Sequence, residues 1–286
     1  MSLTVVATGM QTLIQDAGRP GFGASGVGRS GAFDRAAQRQ ANLLVGNPAD
    51  APALEVLGGG LRLRSTREHV MAATGAVGSI RVGGHPVEHG RSFAVLPGQD
   101  VRLGTFDVGL RAYIAVGGGF LADEVLGSCS TDTLAGLGPA PLAAGTKLPC
   151  GFPSGPPLDG LDVPALIASG STSVNVVVGP RDGWFTDAAV ARLLASAWTV
   201  SPTSNRIGIR LDGPALERSR DGELPSEPCV FGSIQVTSAG LPVVLGPDHP
   251  VTGGYPVVAV VLDADMDRAA QVRPGQQVRF RLLETP

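Results

Sequence analysis

The chain has almost no lysine. Of its 22 basic residues all but Lys147 are arginine, so chemistry that needs a lysine has one candidate, set in the strand-like stretch "AAGTKLPC". No glycine run leads into that lysine, which excludes a GxxxxGK[ST] phosphate loop. Aromatic residues make up 5%, with two Trp and two Tyr, and the net charge is −3 without a charge block. A nucleic-acid groove needs a basic surface and often stacking rings, and nothing in these totals suggests one. The three cysteines, Cys129, Cys150 and Cys229, are odd in number and widely spaced. They form no CxxC pair, which argues against a disulfide framework or a zinc site and predicts reduced thiols in a cytoplasmic protein. Of the four histidines only His85 and His89 lie close together. Pro86 and the flanking glycines make "HPVEH" a turn rather than a helix with two ligands on one face, so no metal is expected. No apolar run approaches the ~20 residues of a membrane span. The opening "MSLTVVATGMQT" lacks a basic region and a long apolar stretch, which predicts no secretory leader. There is no G-x-S-x-G nucleophile elbow.

What is abundant is turn chemistry. The chain has 41 glycines and 23 prolines alongside 43% hydrophobic residues. That combination predicts a mainly β protein with a few helices, built from many short strands and tight turns. "VLPGQDVRL" (95–103) and "VRPGQQVRF" (272–280) repeat one pattern, a Pro-Gly turn followed by alternating apolar residues. A looser copy, "LAAGTKL" (142–148), shows how common such a unit is. Helical spacing appears over 30–47, with Phe33, Ala37, Ala41 and Leu44 on one face, and over 186–198, where Thr186 suits an N-cap. The Pro/Gly-rich stretch 149–164 reads as a linker. It divides the chain into domains at 1–155 and 156–286.

Three polar stretches stand out. In "IQDAGRPGFGASGVGRSGAFD" (14–34), Gln15, Asp16, Arg19, Ser30 and Asp34 sit among glycines that permit close backbone approach. Arginine there suits a carboxylate or phosphate, and a helix starting after Ser30 would offer N–H groups to an anion. Gly26, Gly28 and Gly31 imitate G-x-G-x-x-G, but no βαβ unit with a following acid supports a dinucleotide site. In "SNRIGIRL" (204–211), Asn205 and Arg206 precede an alternating strand. In 231–261, Gln235 lies mid-strand, and Asp248, Thr252, Gly253, Gly254 and Tyr255 fall in the loop "PDHPVTGGYP". Each stretch also reads as an ordinary surface turn.

The same stretches resemble the biotin-dependent carboxyltransferase-like family, which includes the KipA-type C subunit of 5-oxoprolinase and the carboxyltransferase part of urea carboxylase. The family's Q-D-x-G-R-x-G is Gln15–Gly21 here, and its G-V-x-x-S-G-A-x-D is Gly26–Asp34. "NLLVGN" (42–47), Leu54-Glu55, "RAYIAVGGG" (111–119), "LGSCST" (126–131), "VGPRDGWF" (178–185), "SNRIGIRLDG" (204–213), "GSIQV" (232–236), "TGGYP" (252–256) and "AQVRPGQQVRF" (270–280) follow in order across nearly the whole chain. Two departures point to a shifted substrate or reduced activity. His249-Pro250-Val251 replaces the family's R-Q-T neighbourhood, and the segment after "STDT" (130–133) lacks a Gly-Arg run.

The resemblance implies two cyclophilin-like β-barrel domains with a ligand cleft between them. It implies ATP-dependent cleavage of 5-oxoproline in a multi-subunit enzyme, or carboxyl transfer from carboxybiotin to urea or a related amide. A third possibility is a non-enzymatic antagonist of a KipI-type kinase inhibitor. Lys147 lacks the A-M-K-M surroundings of a biotin site, so no cofactor is expected to be covalently bound. ATP or carboxybiotin would be handled with partners, a KipI-type polypeptide (the B component) and an A-type polypeptide, in a hetero-oligomer. The expected roles follow. Arg206 and Arg19 hold an anion or carbonyl, and Asn205, Gln15 and Gln235 orient an amide. Asp248, Asp16, Asp34 and Tyr255 are the candidates for proton transfer, with Ser30, Thr252, Gly253 and Gly254 at the substrate.

Overall fold

The structure is a computed structural model that describes residues 2–153, 155–158, 170–220, 222 and 224–283. It divides into two compact units. One holds residues 1–19, 30–132 and 136–168, and the other holds 20–29, 133–135 and 169–286. The stretch 149–164 read as a linker lies partly, at 154 and 159–164, outside the described residues.

The first unit contains β1 (Ser2–Thr8), β2 (Gln11–Gln15), α1 (Arg35–Leu44), β3 (Ala53–Leu57), β4 (Leu61–Ser65) and β5 (His69–Val82). After these come β6 (His85–Pro86), β7 (Ser92–Val95), β8 (Asp100–Val116) and β9 (Lys147–Pro149). Its nine strands form one sheet in the order β2-β3-β8-β4-β1-β9, with β5 alongside β8 and carrying β6 and β7. β5 and β8 pair antiparallel from Met71↔Val116 to Val82↔Val101, and register shifts between Gly75 and Ile80 bend the pair. Such bulges increase twist and bend the strand that carries them, and the sheet is curled into a half-barrel. Alternation then sorts the side chains. Leu54, Val56, Leu63, Ile114 and Val116 face one core. Tyr113 and Ala115 face the opposite side, where α1 packs Ala37, Ala41 and Leu44 against them. The helix expected over 30–47 begins only at Arg35 because Ser30 (φ 53°) and Gly31 (φ 95°) are left-handed. Asp34 closes that turn as N-cap, its Oδ1 accepting from the Ala37 N–H at 2.9 Å.

The second unit contains β10 (Ser171–Val178), α2 (Asp187–Ala195), β11 (Trp198–Val200), β12 (Gly208–Asp212), β13 (Glu227–Pro228) and β14 (Ser233–Val236). Then follow β15 (Pro242–Leu245), β16 (Thr252–Gly253), β17 (Val257–Val261), α3 (Asp263–Ala269) and β18 (Gln277–Leu282). Seven strands close a barrel in the order β10-β17-β14-β15-β12-β11-β18. Its seam is the parallel pairing of β10 with β18, Ser171↔Gln277 to Val176↔Leu282. Val174, Val176, Trp198, Leu211, Ile234, Val244 and Phe280 are buried in this unit. β13 and β16 form a separate two-stranded ribbon. Thr186 caps α2 as its position suggested, accepting from Ala189 N–H at 3.1 Å.

The sequence repeat is one turn used twice. Gln99 N–H donates to the Leu96 carbonyl and Gln276 N–H to the Arg273 carbonyl. In return each glutamine Oε1 accepts from the N–H that opens its turn, Leu96 at 2.8 Å and Arg273 at 2.9 Å. The glycines between, Gly98 (φ 79°) and Gly275 (φ 84°), hold the left-handed position that a type II turn requires. The looser copy closes likewise, with Thr146 Oγ1 accepting from Ala143 N–H at 3.2 Å in place of glutamine. The mainly β fold in two barrel-like units is therefore observed.

Candidate functional site

In the first unit the residues singled out in 14–34 converge on the loop 128–131. Asp16 lies just after β2, and its Oδ1 accepts from Gly18 N–H (2.7 Å), Ser128 Oγ (2.7 Å) and Ser130 Oγ (2.5 Å). Its Oδ2 accepts from Cys129 N–H at 2.6 Å. Gln15 Nε2 and Ser30 Oγ both donate to the Thr131 carbonyl, at 2.8 and 3.1 Å. Arg19 is buried and donates from Nε to the Val125 carbonyl at 3.2 Å and from Nη2 to the Ser130 carbonyl. Gln15 Oε1 and Arg19 Nη1 are buried without a hydrogen-bond partner. Gly31 passes over this strand end so closely that a Cβ would sit 2.9 Å from Gly18 N. Two separate sequence motifs thus lock one another in place.

Asp34 lies elsewhere in the unit. Its N–H donates to Tyr113 Oη at 2.8 Å, and Tyr113 donates to Glu55 Oε2 at 2.6 Å. Glu55 also accepts from Phe33 N–H at 3.0 Å and pairs with Arg111 at 3.7 Å. Burial, then the nearby Glu55 and Asp34 charges, hold the Tyr113 phenol well above its usual range. The N–H groups of Ala32, Phe33, Asp34 and Ala37 are all taken by protein oxygens. These bonds tie the turn that leads into α1 to the body of the unit.

A cavity of about 340 Å³ opens in the same unit, lined in part by Asn47, Phe120, Glu124, Cys129 and Phe152. None of the candidate catalytic or substrate-binding residues named from sequence lines it. Burial and the Asp16 charge push the Cys129 thiol up to about 11, so it stays protonated at neutral pH.

In the second unit the loop between β15 and β17 is pinned at two ends. At one end Arg206, buried just before β12, grips Asp248 with a two-pronged ion pair. Nε donates to Oδ2 and Nη2 to Oδ1, each at 2.9 Å. Asp248 Oδ2 also accepts from Thr133 N–H at 2.9 Å and from Thr133 Oγ1 at 2.7 Å. Asn205 turns its Oδ1 back on the backbone, accepting from Ile207 and Gly208 N–H. At the other end Gln235 Nε2 donates to Cys229 Sγ and to the Tyr255 carbonyl, both at 3.3 Å. A Cβ on Gly253 would meet Gln235 Nε2 at 2.8 Å and Cys229 Sγ at 3.0 Å, so a larger residue there would push the Gln235 side chain off its partners. Thr252 and Tyr255 are exposed on this loop, as is Gly254. Burial also raises the Cys229 thiol. His249 is half-buried, with Nδ1 2.9 Å from the Pro250 carbonyl.

The structure therefore gathers Gln15, Asp16, Arg19 and Ser30 in one cluster, and Arg206 with Asp248 in another. It keeps Asp34 apart in the Glu55–Tyr113 network. Sequence reasoning did not single out Thr133, Ser128, Ser130 or Cys229 as site residues. The first three fall in or next to "LGSCST", and that adjacency is the signal that could have found them.

A sequence profile described as "Carboxyltransferase domain, subdomain A and B" matches residues 25–282. The chain is 38% identical over 281 residues to the C subunit of 5-oxoprolinase from Escherichia coli (strain K12), covering 97% of this chain and 90% of that protein. It is 30% identical over 305 residues to urea amidolyase of Saccharomyces cerevisiae, covering 98% of this chain and 16% of that protein. The crystal structure of the K. lactis urea amidolyase superposes with a TM-score of 0.94 at 29% identity, over 99% of this chain and 19% of that one.

Proposed function

This chain belongs to the carboxyltransferase-domain family, subdomains A and B, and from that membership we propose that it is the C-type subunit of an ATP-hydrolysing 5-oxoprolinase. The observation that carries this reading is the match in both directions to a 5-oxoprolinase C subunit, 97% of this chain against 90% of that protein. Carboxyl transfer from carboxybiotin to urea or a related amide is the second reading. It is favoured by the TM-score of 0.94 to a urea amidolyase. On either reading the working enzyme is a complex with KipI-type (B-type) and A-type polypeptides, which handle ATP or deliver carboxybiotin. Lys147 supports this division of labour. It is exposed but held within the pairing of β9 with β1, opposite Thr4, rather than at a hairpin tip.

The second unit's loop is the proposed substrate site. Asp248 and Thr133 fix the Arg206 guanidinium in one orientation, so its positive charge can oppose charge developing on an amide or carboxyl oxygen without reorganising. Asn205 and Gln235 orient the amide. Tyr255 is exposed and is the proton donor we favour, with Thr252, Gly253 and Gly254 forming the floor. Asp248 works chiefly by holding Arg206, because three donors already occupy its Oδ2.

Co-expression with the A- and B-type polypeptides tests the proposal. Glutamate should form from 5-oxoproline only with ATP, while urea-dependent carboxyl transfer stays at background. The reverse pattern establishes the second reading. A complex that binds the B-type polypeptide yet turns over neither substrate would make the chain an antagonist. Within an active complex, Arg206→Lys and Arg206→Ala should each lower turnover by about 100-fold or more. Unchanged turnover in a folded variant removes Arg206 from the mechanism.

A further inference from the structure

The outward face of the first unit's sheet concentrates positive charge. Lys147, Thr4, Arg64 and Asp100 stand directly opposite one another across β9, β1, β4 and β8. In the neighbouring row Arg62, Arg102 and Arg81 stand opposite one another across β4, β8 and β5. Residues two apart on a strand share a face, so both rows lie on the same side. The intervening Leu63, Val101 and Val82 point into the core. This face therefore carries five cations, the chain's only lysine among them, against one carboxylate, in a chain whose net charge is −3.

Asp100 ties three of these cations together. It accepts from Arg62 Nε at 2.8 Å, from Arg64 Nε at 2.8 Å and from Arg102 Nη2 at 3.2 Å. Hydrogen bonds from Arg64 above all, then from Arg62 and Arg102, hold its carboxyl far below the usual range, so it stays ionised. One carboxylate cannot neutralise three guanidiniums. Like charges directly opposed across strands are destabilising, so folding alone does not explain the row Arg62–Arg102–Arg81. The shared carboxylate does something else. It fixes long side chains in advance, which lowers the entropy lost when an anion docks on them.

We infer that this sheet face docks an acidic surface of a partner polypeptide, an inference that rests on the reading of the chain as one component of a complex. Its breadth selects the partner. Five adjacent strands span roughly 19 Å at ~4.8 Å spacing, far wider than a single phosphate group. A second copy docking symmetrically would bring the same cations face to face.

The test measures association of the intact chain with its B-type partner, and with the A-type partner, at low and high salt. For the partner that docks here, raising salt should slow association about tenfold or more. The double substitution Arg64→Glu/Arg102→Glu should slow it about tenfold at low salt. Arg64→Gln/Arg102→Gln should give a smaller loss and serves if charge reversal impairs folding. Arg279→Glu, on β18 of the second unit, should leave the rate within about twofold. Association with both partners that proceeds at the wild-type rate in the folded double variants overturns this inference alone. Wild-type chain that joins neither partner overturns the reading of the previous section as well. Loss of binding only to anionic-lipid vesicles, with both partners still binding normally, overturns it in favour of a membrane surface.

Discussion

Asp16 gives the clearest lesson at the scale of single residues. Its carboxylate accepts from two serine hydroxyls and two backbone N–H groups, all between 2.5 and 2.7 Å. Hydrogen bonds to a buried charged group are worth about 1.5–3 kcal/mol each, and losing the acceptor strands every donor. Asp16→Ala should therefore cost about 3–5 kcal/mol of stability, while Asp16→Asn, which keeps one acceptor oxygen, should cost less. Urea unfolding of the two variants checks this, and a loss below about 1 kcal/mol for the alanine would show that the loop is held some other way. The sequence picked out Gln15, Asp16, Arg19 and Ser30 as polar residues in a glycine-rich stretch. Apart from Gly18, their partners lie more than 100 positions away. Local pattern says which residues are available for polar contacts, and only the folded chain says which contacts they make. For the same reason Arg206 and Asp248 were both named, but their pairing was not.

Elements read more easily, because their causes are local. The Pro-Gly-Gln turns were visible at 95–103 and 272–280. What the sequence did not reveal was the glutamine side chain reaching back to close each turn. Gln99→Ala and Gln276→Ala should each cost about 1 kcal/mol, the usual worth of one hydrogen bond. Matching losses in thermal unfolding would show that the two turns do the same work. A loss at only one site would show that they do not. α2 and its Thr186 cap were legible from spacing. The start of α1 was not, since the left-handed Ser30-Gly31 pair answers to Gly18 packed against it. α3, seven residues with three aspartates, carried too little apolar periodicity to be seen. It is fixed instead by burial of Met266 and Ala269 and by Asp265 accepting from Asn175 N–H at 2.6 Å.

For the molecule as a whole, acid is the informative perturbant. His69 is buried at the start of β5, and its Nε2 has no hydrogen-bond partner. Burial first, and then the Arg67 charge, pull its pKa from 6.5 to about 4. The folded state thus binds fewer protons than the unfolded state between those values, and stability must fall as the pH drops through that window. Between about pH 7 and pH 4.5 the loss should reach about 1–2 kcal/mol once partial screening by solvent is allowed for. His69→Gln should flatten the pH dependence of urea unfolding over that range. A slope equal to the wild type's would place the acid sensitivity elsewhere, with Asp100 contributing only below about pH 4, where the unfolded chain's carboxyl takes up a proton that the folded one still refuses.

The seam of the second barrel also bears on synthesis. β18 is the last of the barrel's strands to leave the ribosome, and it fills the gap between β10 and β11. Until it arrives, β10 and β11 each present an unpaired edge, the kind of surface that recruits foreign strands. The nascent chain therefore has to shield an open sheet through the whole stretch from β10 to β17. Premature termination anywhere before Gln277 should yield a sticky fragment rather than a smaller working barrel.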